Sequence, residues 1–219
     1  KGPIFSNVIL IDEINRAPAK SQAALFEVME EKQISFDGTT YQLDRPFIVI
    51  ATQNPIEQEG TYRLPEAQLD RFLFRIVLDY PSFDNEIDIM DRFSAITKNY
   101  GLDKVEAVFT KELINNLRKS AVSVYIEDQL KRYIVQLVHA TRNDSKIFLG
   151  ASPRASLAIM RSSRVVAMME GRNFVIPDDI QFVTPLVLNH RIILTPDAEI
   201  NGMNTFNVID EILQNEEVP

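Results

Sequence analysis

Apolar residues change their spacing along this chain, and the changes divide it. Val8-Ile9-Leu10-Ile11 is an unbroken apolar run of strand length, the pattern of a strand covered on both faces. Beyond Pro18, the residues Ala24, Leu25, Val28 and Met29 recur at helical spacing in AKSQAALFEVMEEK, which predicts a helix. QISFDGTTYQL reads as a β-hairpin, two β-rich arms around an Asp37-Gly38 turn. PFIVIAT (46–52) and FLFRIVLDY (72–80) predict two further buried strands. Strands joined through a helix argue for an α/β layer with a parallel sheet.

After Pro81 helical periods take over. SFDNEIDIMDRFSAITKNY (82–100) predicts a helix stopped by Gly101, and Thr110 caps a second over KELINNLRKS. Residues 127–142 put Leu130, Ile134, Leu137 and Val138 on one face. Ser152-Pro153 opens a helix expected to run to Gly171, and another is expected over 178–189. VSVY (122–125) and NFVI (173–176) are candidates for two short strands. The pattern predicts an α/β unit over residues 1–80 and a mostly helical unit over 81–219, without internal repeats or low-complexity tracts.

Composition narrows the function classes. The 219 residues suffice for one or two cored domains. A net charge of -8 argues against a nucleic-acid partner, which would need a basic face. With no cysteine there are no disulfides, thiol nucleophiles or thiolate metal sites, and His139 and His190 lie too far apart in sequence to suggest a metal pair. No apolar run approaches the ~18 residues that span a bilayer, and no secretory leader is recognisable, so a cytoplasmic protein is expected. The chain opens Lys1-Gly2-Pro3 without a methionine, as a fragment would.

Four short stretches carry candidate chemistry. The run at Val8–Ile11 ends in Asp12-Glu13. An unpaired buried carboxylate costs several kcal/mol, roughly, so acid at a buried strand's end points to a cation facing it. In phosphoryl transfer an Asp there holds Mg²⁺, usually through water, and an adjacent carboxylate activates the attacking water. Parallel α/β sheets place ligands at that end. An acidic strand-to-helix turn would look the same. ATQNP (51–55) follows another apolar run, and Asn54 could orient a water or touch a phosphate oxygen, or Asn-Pro could only start a turn. In LPEAQLDRF (64–72), Arg71 suits the charge on a transferring phosphoryl group, or forms a surface pair with Asp70. In GASPRAS (150–156), Arg154 falls in a helix's first turn, where its charge opposes the helix dipole. An anion or partner should compensate it, unless solvent alone does.

Asp12-Glu13 resembles a Walker B motif, Asn54 sensor 1, Arg71 an arginine finger and Arg154 sensor 2, in the order and spacing of AAA+ ATPases. The longer strings LIDEINRAPAKSQAALFEVMEE, FIVIATQNPIEQEGTYRLPEAQLDRF and LGASPRASLAIMRSSRVVAMMEGRNFVIPDDI resemble the MoxR family, from Gly2 to about Leu194. The resemblance implies an α/β fold, the C-terminal part of an AAA+ P-loop NTPase core with a parallel sheet, followed by a helical lid. It implies ATP and Mg²⁺ as cofactors, with Asp12 holding the metal through water. Glu13, Asn54, Arg71 and Arg154 would be catalytic, and Asp12, Glu13, Asn54 and Arg154 would contact the nucleotide. It further implies a ring, expected to be a hexamer, and chaperone-like maturation of client proteins. Those clients often bear a von Willebrand factor A domain, and their maturation includes metal-cofactor insertion. The hairpin at 33–42 would be the insertion before sensor 1, facing the ring's centre.

One departure stands out. The phosphate-cradling loop G-x-x-x-x-G-K-[ST] is absent, since none of the seven glycines (2, 38, 60, 101, 150, 171, 202) is followed by lysine. In the family this loop lies upstream, on a strand expected between those at 46–52 and 72–80. The chain is therefore expected to be an N-terminally shortened ATPase, inactive alone. The other readings are a magnesium-chelatase-type AAA+ subunit, with a similar motif order, and a nucleotide-free interaction fragment.

Overall fold

The computed structural model describes residues 2–54, 64–94 and 105–219. Its first unit runs β1 (Val8–Ile11), α1 (Ala19–Glu31), β2 (Gln33–Phe36), β3 (Thr39–Gln42), β4 (Ile48–Ala51) and α2 (Glu66–Leu69). β1 and β4 pair in parallel, Val8 opposite Ile48 and Ile11 opposite Ala51, as the α/β pattern predicts. α1 stops at Lys32, whose left-handed backbone (φ 56°) lets its N–H bond Val28 O at 3.0 Å. β2 and β3 form the expected antiparallel hairpin. Asp37 (φ 49°) and Gly38 (φ 71°) both adopt the positive φ of a type I′ turn, which explains the Asp-Gly choice. Ile14, Phe26 and Leu64 are the fully buried centre of this unit, with Ile11, Met29, Ala51, Leu69 and Phe72 packed around them.

Two expectations fail here. Neither strand of the ladder is covered on both faces: Val8 is 56%, Leu10 67%, Ile48 43% and Ile50 51% exposed, all on one face. An apolar run records a capacity for two covered faces, and among the described residues only one is covered. Residues 72–80 are not a strand either. A strand needs a ladder partner, and this segment's backbone bonds the helical unit instead. Arg75 N–H donates to Leu186 O at 3.1 Å, and Asn189 Nδ2 donates to Arg75 O at 3.0 Å.

The second unit comprises α3 (Phe83–Ser94), α4 (Lys111–Ser123), α5 (Asp128–Asn143), β5 (Ile147–Leu149), α6 (Pro153–Met169), α7 (Pro177–Leu188), β6 (Ile193–Leu194), α8 (Pro196–Ile200) and α9 (Thr205–Asn215). The predicted stop at Gly101, residues 95–100 of the first predicted helix and the PIEQEGTYR stretch lie outside the described residues. Thr110 caps α4 as expected, its Oγ1 accepting from Leu113 N–H at 3.1 Å. The α5 stripe Leu130, Ile134, Leu137 and Val138 is buried with Ile159, Ile180, Leu188 and Ile209 in one large core. VSVY and NFVI are not two strands: residues 122 and 123 complete α4, and only the bridge Tyr125 to Phe174 remains. The short β5–β6 ladder carries no such signal, because three and two residues are too few for a period.

Gly150 sets the entry to α6. A Cβ there would sit 2.7 Å from Thr141 O and 2.8 Å from Arg142 Cα, so only glycine lets this loop lie against α5. Ala151 completes the dock, its N–H bonding Thr141 Oγ1 at 3.0 Å and its carbonyl accepting from Arg142 Nε at 2.9 Å. The first turn of α6, and Arg154 with it, is held in place.

Candidate functional site

The predicted site residues fall into two groups at opposite ends of α1. Because β1 and β4 are parallel neighbours in register, Asp12-Glu13 and Thr52-Gln53-Asn54 emerge at the same end of the ladder. The ladder continues one step as Thr52 N–H bonds Ile11 O at 2.9 Å. Thr52 then organises the turn. Its Oγ1 donates to Asp12 Oδ1 at 2.5 Å and accepts from Glu13 N–H at 2.9 Å, while its carbonyl accepts from Ile14 N–H at 3.1 Å. Glu13 is thereby held in the left-handed region (φ 50°, ψ 54°), a conformation costing of order 1 kcal/mol or more in a residue with a side chain.

That arrangement answers what the two carboxylates face. Asp12 is exposed and meets a hydroxyl and no cation among the described residues, while Glu13, half-buried, pairs with Arg16 Nε at 3.0 Å. Asp12 is thus a hard oxygen donor left open toward solvent. It fits Mg²⁺, which takes one or two carboxylates and completes its shell with water and phosphate oxygens. Asn54, half-buried, lies two residues beyond Thr52. Thr52 carries no signal of this role in the sequence, where a threonine ending a strand looks like any other β-former.

The second group lies where the two units meet. Glu30 is at the C-terminal end of α1, and the 13 residues of that helix span about 20 Å. Its carboxylate holds Arg71 Nη2 at 3.1 Å and Arg154 Nη2 at 2.5 Å. Arg71 also rests over the Phe26 ring, 5.9 Å from its centre, and Phe26 meets Phe72 edge-on. Arg154 therefore has the compensating anion its place in a helix's first turn demands, and Arg71 does not pair with Asp70.

Asp70 is engaged elsewhere. Its Oδ2 accepts from Ser152 Oγ at 2.9 Å, and Ser152 in turn caps α6 by accepting from Arg154 N–H at 3.2 Å. Its Oδ1 accepts from Arg191 Nε at 2.9 Å. Arg191 spends its remaining donors on carbonyls: Nη1 on Leu73 (3.1 Å) and Val187 (2.5 Å), Nη2 on Asp70 (3.2 Å) and Phe72 (2.5 Å). All five N–H groups of the guanidinium are used. Burial pulls its pKa below the usual value while the bond to Asp70 opposes that. Next to it, His190 Nε2 bonds Phe72 O at 3.1 Å, and burial with the neighbouring Arg191 charge lowers the imidazole pKa to about 4. The ring is therefore neutral and donates from Nε2. Neither residue is legible as part of a site, since Asp70 and Phe72, which tie them to it, lie more than a hundred residues back in the chain.

Between the units lies a cavity of about 410 Å³ bordered by Glu30, Asp70, Arg71, Arg154, Arg161 and Arg191. Four arginines against two carboxylates leave it net positive, an environment for a polyphosphate or another strongly anionic group. No helix among the described residues is long and apolar enough to cross a membrane.

Comparison with known proteins gives this geometry a context. Residues 1–74 match the family described as ATPase family associated with various cellular activities (AAA), and residues 139–212 match the AAA lid domain. The chain is 45% identical over 218 residues to the uncharacterized protein YeaC of Bacillus subtilis, covering all of this chain and 67% of that protein. It is 44% identical over 227 residues to Chaperone MoxR1 of Mycobacterium tuberculosis, again over its whole length, but spans only 59% of that relative. The crystal structure of a candidate ATPase from Cytophaga hutchinsonii superposes with a TM-score of 0.91 at 44% identity, covering 100% of this chain and 68% of that one.

Proposed function

The chain belongs to the MoxR family of AAA+ ATPases, and from that premise we propose that its two groups of site residues are halves of ATP sites completed between neighbouring copies. Asp12 would hold a Mg²⁺ ion, which would supply charge neutralisation at the phosphates. Glu13 takes the proton of the attacking water, which Asn54 orients. Arg71 and Arg154 meet the γ-phosphate of the adjoining copy, where a guanidinium forms charge-assisted bonds to phosphate oxygens.

One observation carries the reading. Arg71 and Arg154 share Glu30, at the end of α1 remote from the Asp12-Glu13 turn. Gln22, whose Nε2 bonds Ile14 O beside that turn, lies about 12 Å along the helix from Glu30, so the shared carboxylate holds both guanidiniums away from their own protomer's Asp12 and Glu13. A second copy brings the halves together, and a ring of such copies, which we take to be a hexamer, closes every interface.

AAA+ ATPases of this family bind nucleotide, and turnover coupled to chaperone-like work on client proteins, including those with von Willebrand factor A domains and metal cofactors, is proposed for the full-length gene product. These 219 residues contain no phosphate-cradling loop, and they are assigned the α/β part to about residue 80 and the lid beyond it. Close identity to a MoxR chaperone leaves no reason to prefer a magnesium-chelatase reading.

The test mixes two inactive full-length variants, Arg71→Ala and Glu13→Gln. Shared sites predict partial return of ATP turnover, because some interfaces combine an intact base with intact arginines. Absence of recovery at every mixing ratio, with co-assembly verified, would refute the shared site.

A further inference from the structure

We infer that Glu30 is the positioning residue of the arginine half-site, aligning Arg71 and Arg154 for one phosphate group; this rests on the shared-site reading above. Its two oxygens are divided between the two guanidiniums, Oε2 to Arg71 and Oε1 to Arg154. Each arginine spends one terminal nitrogen on the bond, and a guanidinium has donors on two further nitrogens for another anion.

Stability does not account for this arrangement. The side chains are 32%, 48% and 39% exposed for Arg71, Arg154 and Glu30, and ion pairs so accessible to water contribute little. What the carboxylate does is geometric. Two like charges from different units, which would otherwise repel, are held on opposite sides of one group, and the trio keeps a net positive charge. Asp70 complements it by fixing the main chain beneath. It pins the α6 cap through Ser152 and the segment carrying Arg71 through Arg191. Backbone and side chains of the two arginines are thus each set by a carboxylate.

The assignment runs against sequence proximity. Glu30 lies on α1, the helix that follows the Asp12-Glu13 turn, and would by position belong with the carboxylate half-site. The structure groups it with the arginines at the far end.

Complementation separates the two. In the full-length protein Glu30→Gln keeps the shape and removes the charge. It should lower kcat by roughly tenfold or more while leaving KM for ATP near the parent value, since an ångström of misplacement can cost up to about 10²-fold. Glu30→Asp, which keeps the charge, should regain part of that loss. Mixed with Glu13→Gln, the Glu30→Gln protein should recover turnover; mixed with Arg71→Ala, it should not. Recovery only with Arg71→Ala would place Glu30 in the carboxylate half and overturn the proposal, as would unchanged or raised kcat, or an Asp variant no better than Gln. The Arg71→Ala and Glu13→Gln mixture runs alongside. If it fails, the shared site falls and the Glu30 role with it; if it succeeds while the Glu30→Gln and Glu13→Gln mixture stays inactive, only the Glu30 role falls.

Discussion

Replacing Arg191 with methionine keeps most of the aliphatic stem and removes five hydrogen bonds at once. The guanidinium side chain is 3% exposed and its partner Asp70 18%, so the pair is a buried one. Removing one member of a buried pair typically costs about 3–5 kcal/mol, because the other charge stays behind without compensation. Asp70 keeps the Ser152 hydroxyl and some contact with water, which puts the expectation at the lower end, about 3 kcal/mol. Urea unfolding followed by circular dichroism should show the loss as a lower midpoint at an unchanged slope. Adding Asp70→Leu should restore part of the stability, since the stranded carboxylate is then gone. A Met variant within about 0.5 kcal/mol of the parent would refute the reasoning, and so would a double variant whose losses simply add. Arg191→Lys should rescue little, because three ammonium donors cannot reproduce a planar five-donor fork.

Two further predictions concern His190, beside Arg191, and Thr52, in the carboxylate group. The unfolded chain protonates His190 near pH 6.5 but the folded one only near pH 4, so stability is lost as pH falls between those values. At 1.36 kcal/mol per pKa unit that loss totals about 3 kcal/mol. His190→Gln should flatten this slope of unfolding free energy against pH, and an unchanged slope would locate the effect elsewhere. Thr52→Val preserves the branched strand residue but deletes the hydroxyl that bonds Asp12 and the Glu13 N–H. ATP turnover of the full-length variant should drop roughly tenfold or more, as expected when a positioning contact is lost, with little change in melting temperature. Wild-type turnover would deny Thr52 that role.

Much was legible before any coordinates, because the signals were local. A change of hydrophobic period marked β1, α1, the hairpin, β4 and the lid helices; Asp37-Gly38 announced a turn that needs positive φ; Thr110 and Ser152 announced helix starts. The acid pair after an apolar run and the unpaired arginine in a helix's first turn each stated an electrostatic problem that needed a partner. The sequence could pose those problems without naming the partners.

Tertiary structure chose them. Arg154 found Glu30 across 124 residues and Arg191 found Asp70 across 121, separations at which no residue spacing carries information. The run at 72–80 looked like a strand because β-propensity measures fit to a pleated surface, yet strands exist only in pairs, and this backbone spent its hydrogen bonds on α7 and the turn after it. The same limit explains the exposed face of β1 and β4. An apolar run determines what a strand can bury, and only the packing of distant elements decides what it does bury.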